Sequence, residues 1–522
     1  MQPQALNQKT IVFACLCALL AALVQFPSPF DGNGDSAWLL TVGEKLLGGA
    51  RPYVDVLEVN PPMSIWLYLP AVWLAQTLGG AAELWLYAYV TGLAGLSLWA
   101  CWHLSAHVDM PSPSARLGLI AITAFALLIL PSRCFAQREH FAAIGLLPFL
   151  FALAARWTNG HRLPMGLASI IGLAAGLSVC IKPHLIFVLA LAQLSMVVPR
   201  LFEPSTSFNQ RLAYLRQDLS IGRFVSVEAV VAAFTAIGYL IMVLSLYPQF
   251  LSEIYWRVAL VYVPHREPIA IFLGLPATAL FIFFLAFLAI GRLKPTTRLG
   301  VVLLAGAFGG FIAYCLQTKG WGYHQVPTYV FALIGFAAIW LSSDLLQSQT
   351  LAKLAGACML VLFGAGVPAL FAMHDKPRAL EAVLRNYGDR PSLLIGSSNL
   401  GMNFPLARRV NAQWVGRSAS QWMSEGAMAL HQKSKDPAQK DRLLQLYNLD
   451  RTLFVEDALA GKPDILGLAF PGADPQRDLL VWAKEDPRLN TLLRQYQQIG
   501  IYDDVRVFVR HDVLALNQKS NL

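Results

Sequence analysis

The chain has 522 residues, of which 56% are hydrophobic and only 14% charged, and its net charge is +9. Soluble globular chains carry about a quarter charged residues, so composition excludes an ordinary soluble protein. The diffuse positive balance gives no case for nucleic-acid binding. Residues 1–373 hold 20 Lys/Arg and 14 Asp/Glu, while residues 374–522 hold the other 20 and 17 in less than half the length. That division predicts a bilayer-embedded domain, 1–373, followed by a water-soluble domain, 374–522.

A helix that crosses a bilayer needs about 20 apolar residues. The first such run follows Lys9, and the sequence gives no small-residue cleavage site after it. It reads as a retained span rather than a signal peptide. In chain order the predicted spans are 10–27, 83–104, 116–131, 141–156, 165–181, 185–198, 223–247, 269–290, 299–316, 326–342 and 351–372. The fold class is therefore an α-helical polytopic membrane protein of about eleven spans. All seven cysteines lie in or beside these apolar segments.

The stretch 61–79 (PPMSIWLYLPAVWLAQTLG) is also apolar enough to span. Lys/Arg placement decides against it. With 61–79 lying along the surface, 11 basic residues after residue 83 fall in the inner loops and 6 in the outer ones. The positive-inside rule requires that bias. The N-terminus is then cytoplasmic, 28–82 is one long external loop with juxtamembrane helices, and the C-terminal domain is periplasmic. Within that loop, 35–49 has apolar residues at helical spacing and reads as a surface helix with Asp35 at its start.

In the soluble part, apolar strands at 392–396, 410–415, 464–468 and 505–509 alternate with helical stretches at 377–387, 438–459 and 476–499. That alternation predicts a small α/β domain. GSSNLG at 396–401 reads as an ordinary strand-to-helix turn rather than a phosphate loop.

Under this topology the unusual polar residues share one side. The first external loop carries Asp35, Tyr53, Asp55 and Glu58. Later outer loops carry Arg138-Glu139-His140, Lys182-Pro183-His184, Arg266, and Lys319 with Trp321, Tyr323 and His324. Each has an ordinary explanation alone: an acid caps a helix, a cation at a span end snorkels, an aromatic joins the interfacial belt. Jointly, acids precede and cations follow on one face. Attack of a hydroxyl on an anomeric carbon needs a carboxylate to take its proton. A departing phosphate needs cations to stabilise it.

At these residues the chain resembles the GT-C superfamily of membrane glycosyltransferases. The nearer likeness is to the branch with protein O-mannosyltransferases and lipid A aminoarabinose transferases. The resemblance rests on Asp35 early in the first loop, on Tyr53, Asp55, Asn60, Pro61 and Pro62, on Gln137 to His140, and on Lys319 to His324. It implies an inverting transfer from a polyprenyl-phosphate sugar to a glycan, lipid or protein acceptor, in a bacterial inner membrane, without a cofactor. It implies Asp35 as general base. Asp55, Glu58, Glu139, Tyr53, Trp321 and Tyr323 are expected to bind acceptor or sugar, and Arg138, Lys182, His184, Arg266, Lys319 and His324 the carrier phosphate. Many relatives follow the first Asp with Glu, whereas Ser36 stands here. No carboxylate cluster demands a divalent metal, so metal-independent transfer is expected. The rival readings are a transporter or flippase of a lipid-linked or anionic sugar, a polysaccharide polymerase or ligase, and a non-catalytic scaffold.

Overall fold

The computed structural model describes residues 32–196, 225–262, 297–342, 378–470 and 478–520. The described chain is mostly helical. In order it forms α1 (Gly34–Leu47), α2 (Pro62–Trp66), α3 (Leu69–Leu78), α4 (Ala82–Leu104), α5 (Pro113–Leu128), α6 (Arg138–Asn159), α7 (Met165–Ile181), α8 (Ile186–Leu194), α9 (Val227–Leu246), α10 (Arg298–Gln317) and α11 (Val326–Ser342). The C-terminal region follows as α12 (Arg378–Leu384), β1 (Ser392–Gly396), α13 (Leu400–Asn403), α14 (Leu406–Arg409), β2 (Gln413–Trp414), α15 (Trp422–Lys433), α16 (Pro437–Gly461), β3 (Ile465–Ala469), α17 (Leu479–Lys484), α18 (Pro487–Leu493), β4 (Tyr496–Tyr502), β5 (Val505–Arg510) and α19 (His511–Ser520).

Among the described residues, five helices are long and apolar enough to cross a membrane: Ala82–His107, Arg138–Asn159, Val227–Leu246, Arg298–Gln317 and Gly322–Ser342. Three of the expected spans, 116–131, 165–181 and 185–198, are shorter apolar helices. At about 1.5 Å per residue, the 17 residues of α7 and the 9 of α8 fall below a hydrocarbon core of about 30 Å. Expected spans 10–27, 269–290 and 351–372 lie outside the described residues. Residues 61–79 form two short helices, α2 and α3. Pro70, in the first turn of α3, cannot continue the preceding helix, since its ring blocks the hydrogen bond to residue 66.

The chain divides into two compact units. One comprises Met1–Pro27, Tyr87–Met242 and Glu267–Met373, and the other Ser28–Leu86, Val243–Arg266 and His374–Leu522. Ser28–Leu86, which holds the first loop, and Val243–Arg266 thus group with the C-terminal region.

In the first unit α6 and α11 are buried along most of their length. Small residues let neighbouring backbones approach. A Cβ at Gly309 of α10 would stand 2.4 Å from the Phe187 carbonyl oxygen at α8, and one at Gly145 of α6 would stand 2.9 Å from the Ala174 carbonyl of α7. Arg156 at the end of α6 pairs with the buried Glu228 of α9.

In the second unit the sheet order is β2-β1-β3-β5-β4. β1 pairs in parallel with β2 and β3, whereas β5 runs antiparallel to β3 and β4. β1 and β3 are buried runs, as central strands require. Expected helix 476–499 is instead α17, α18 and the edge strand β4. Asp478 and Asp486 each cap a new helix start and Pro487 opens the second, which divides the segment. Expected strand 410–415 pairs only at Gln413–Trp414, and GSSNLG is a strand-to-helix turn in which Asn399 caps α13.

α1 differs from the surface helix expected at 35–49. Ser36 through Gly43 are all buried, packed against α2, α3 and α13, so no wet face runs along it. Leu57 N–H donates to the Arg417 carbonyl (2.8 Å), and Lys45 Nζ to the Gly416 carbonyl (2.7 Å). Arg408 of α14 donates to Glu44 Oε1 (2.9 Å) and Thr41 Oγ1 (3.2 Å) and pairs with Glu83. Val261 shares an apolar cluster with Met423, Ala427, Leu443 and Leu446.

Candidate functional site

Antiparallel succession brings one set of loops to one end of the first unit's helices. The start of α6, the turn between α7 and α8, the end of α10 and the start of α11 meet there. Glu139 is the meeting point. It is 1% exposed, in the first turn of α6, where the helix dipole favours an acid. Its Oε1 pairs with Lys182 Nζ and lies 3.5 Å from His324 Nε2. Lys182 Nζ also donates to Gln317 Oε1 (2.7 Å) and stands 5.7 Å above the Tyr323 ring. Tyr323 meets His324 edge-on at 4.4 Å and stacks with Trp321 at 5.8 Å.

Lys182, Arg138, His184 and Lys319 all act electrostatically on His324. Arg138, Lys182, Lys319 and His324 are buried, whereas Trp321 is 41% exposed at the margin. Among this unit's described residues the acids are Asp109, Glu139 and Glu228, and Glu228 is taken by Arg156. The unit therefore contributes three cations and two imidazoles around one carboxylate. Burying like charges together is costly, so such an arrangement suits an anion or acid supplied from elsewhere.

Two turns carry the basic residues. Thr318, just past α10, is left-handed (φ 53), and Gly320 has φ 70. Ser132 (φ 47) and Ala136 (φ 61) are also left-handed, although neither is glycine. A branched residue such as Thr318 is strained there, and strain of this kind gathers at functional sites. His140 holds the second turn. Its Nδ1 accepts from Ala136 N–H (3.1 Å), which places its hydrogen on Nε2, and that hydrogen goes to the Leu127 carbonyl (2.6 Å). His140 is thus a neutral brace.

The first-loop candidates belong to the second unit. The N-cap of α1 is Asn33, whose side chain accepts from Asp35 N–H (2.8 Å). Asp35 is therefore a partly exposed first-turn acid and not the cap that the sequence implied. Glu58 is a brace: Oε2 accepts from Trp38 Nε1 (2.7 Å) and Oε1 from Asn60 N–H (2.9 Å). Tyr53 is buried at φ 67, donates to the Asn60 carbonyl (2.8 Å) and packs on Tyr247 and Phe250. These contacts tie Glu58 and Tyr53 into the loop's own architecture. Asp55 lies on an exposed turn, where hydrogen bonds from the Arg51 side chain and backbone hold its carboxyl at about 2. Arg266 lies outside the described residues.

Sequence reasoning missed Gln317, which carries no charge and gave no signal, and the clasp of Arg408 with Glu83 and Glu44. Among the described residues no three His, Cys, Asp or Glu side chains gather as a bound metal would need. Comparison with protein-family models finds no match, and comparison with curated proteins finds none either.

Proposed function

We propose that the chain is a polytopic inner-membrane glycosyltransferase of about eleven spans, related to the GT-C enzymes, that moves a sugar from a polyprenyl-phosphate carrier to an acceptor hydroxyl on the periplasmic side. The observation that carries this reading is the cluster in which buried Glu139 meets Lys182 and His324, with Arg138, His184 and Lys319 acting on the same His324, at one end of a helical bundle. A lipid-linked phosphate supplies the negative charge such a cluster suits, and reaches it from the bilayer without a soluble nucleotide pocket. As the anomeric carbon–oxygen bond breaks, charge grows on the leaving phosphate, and fixed cations in a water-poor site stabilise it. The acceptor's proton goes to Asp35, whose partial exposure suits a group that meets an acceptor. Tyr323 and Trp321, stacked beside Lys182, offer a ring face to the sugar.

Sidedness is the second support. Were 61–79 a span, loop 28–60 and the C-terminal region would face opposite compartments. The bonds of Lys45 to Gly416 and Leu57 to Arg417 suit a single compartment instead. The proposal, with the eleven spans expected from the sequence, has loops 132–140, 182–184 and 317–325 face the periplasm.

The test is incubation of the purified chain in vesicles with radiolabelled polyprenyl-phosphate hexoses and pentoses. Transfer predicts free polyprenyl phosphate and label on the acceptor. Label that crosses the vesicle with its carrier bond intact would turn the reading to transport.

A further inference from the structure

The cluster holds two buried acceptors that a phosphate cannot use, and one of them, on His324, moves that residue from the carrier phosphate expected of it to the sugar. Glu139 directs Oε1 at Lys182 and His324, and its Oε2 has no hydrogen-bond partner among the described residues. His324 turns Nε2 toward Glu139, and its Nδ1 likewise has none. A carboxylate beside Nε2 keeps the imidazole hydrogen on that nitrogen, so Nδ1 presents a lone pair. Glu139 is 1% exposed and His324 5%, so bulk water does not serve them. Buried acceptors without a donor are rare, and each marks where a donor belongs. A phosphate dianion has no hydrogen to give, nor has a hydrocarbon chain. A sugar is dense in O–H donors.

We infer that Glu139 and His324 recognise the donor's sugar by accepting hydrogen bonds from its hydroxyls, the 2-hydroxyl foremost. This deepens the glycosyl-transfer reading above and rests on it. The geometry selects the position. Oε1 of Glu139 touches Lys182, a phosphate-binding cation under that reading. A carboxylate's two oxygens are about 2 Å apart and each hydrogen bond spans about 2.8 Å. Oε2 therefore lies toward the phosphate end of the sugar. The hydroxyl nearest that end is the one on the carbon next to the anomeric centre. The substrate class is a polyprenyl-phosphate sugar with a free 2-hydroxyl, as against a 2-deoxy or 2-acetamido sugar. Glu139 then has two roles: one oxygen positions Lys182 and His324, and the other touches the substrate.

The experiment measures kcat/KM for release of polyprenyl phosphate by the full-length chain in vesicles. The probes are polyprenyl-phosphate glucose, mannose and galactose, with the 2-deoxy counterpart of each sugar that turns over. A site built to bond a hydroxyl rejects the analogue that lacks it by about a hundredfold or more. The wild type should show that preference. Glu139→Gln should lose most of it, and His324→Gln should erode it independently, so a failure of one variant to fold leaves the other informative. Release at equal efficiency from both members of a pair overturns sugar recognition by these residues and leaves transfer standing. A preference that survives unchanged in both folded variants overturns it too. No release from these donors or from the pentose donors of the transfer assay removes the transfer reading and this inference with it.

Discussion

Arg408 is the clasp by which the first loop and the C-terminal region hold each other, and Arg408→Met tests it. The guanidinium bonds Glu83, Glu44 and Thr41 at once. These partners are unequal. Glu44 is 42% exposed at its side chain, so its share is that of a surface pair, at most about 1 kcal/mol. The Thr41 hydroxyl adds about 1 kcal/mol as a neutral hydrogen bond. Glu83 is 9% exposed, and removing its cation leaves a buried carboxylate unpaired, which costs about 3–5 kcal/mol. The Glu83 penalty therefore dominates. For a unit of this size it corresponds to roughly 10 °C in Tm. Methionine keeps the packing of the stem, so the loss reports charge. Glu83→Gln added to Arg408→Met should restore at least half, because the buried charge is then gone. Melting of the full chain in detergent, followed by hydrogen exchange at Gly34–Leu47 and Leu406–Arg409, measures both effects locally. A Tm within 1–2 °C of wild type, with exchange in α1 unchanged, would refute the clasp.

Three other perturbations follow from the same geometry. Asp450 is buried in α16 and caps α15 from a distance, accepting from Ser424 N–H at 2.8 Å, and burial pushes its carboxyl up to about 7. Because that value lies above the unfolded one, the native form holds the proton more tightly, and stability present below about pH 4 is lost as pH rises through 7. Asp450→Asn keeps the acceptor and should abolish the pH dependence of hydrogen exchange in Trp422–Lys433; an identical slope in the variant would exclude Asp450 as its source. Gly309→Val drives a side chain into the Phe187 backbone and should cost about 3 kcal/mol or more, whereas Gly92→Ala, with nothing within 4 Å, should be neutral or slightly stabilising; size-exclusion yield and melting of the pair separate packing from a general intolerance of substitution. Asp35→Asn should abolish transfer while donor binding persists, and retained turnover in vesicles would remove Asp35 as the base.

What the sequence made legible follows from what acts locally. Apolar runs placed α4, α6, α9, α10 and α11 within a few residues. The central strands β1 and β3 stood out because both faces are buried, which makes them continuous apolar runs. β4 did not. It is an edge strand with Gln497 and Gln498 exposed, and its polar pattern continues that of the helices before it. α15 was invisible because its cap arrives from Asp450, 26 residues on. The same limit governed the site. Arg138, Glu139, Lys182, Lys319 and His324 were found because charge in an apolar context is conspicuous. Glu58 and Tyr53 were equally conspicuous, yet they bond Trp38 and Asn60 within the loop, and no spacing in the chain announces those partners. Gln317 completes the Lys182 contact without any charge to betray it.

The division of labour among the acids bears on how a reaction would run here. Glu139 is committed through Oε1 to two basic groups. Glu58 is committed to Trp38 and Asn60, and Asp55 is held ionised by Arg51 on an exposed turn. Of the acids singled out in the sequence, Asp35 has the position that suits a base under the proposed mechanism: first turn of a helix, partly exposed, with its backbone N–H already satisfied by Asn33. Glu139 instead suits charge balance. Under the proposed mechanism, one negative charge among three cations would keep them assembled before a donor arrives, so that binding a lipid phosphate would exchange repulsion for attraction without rebuilding the site.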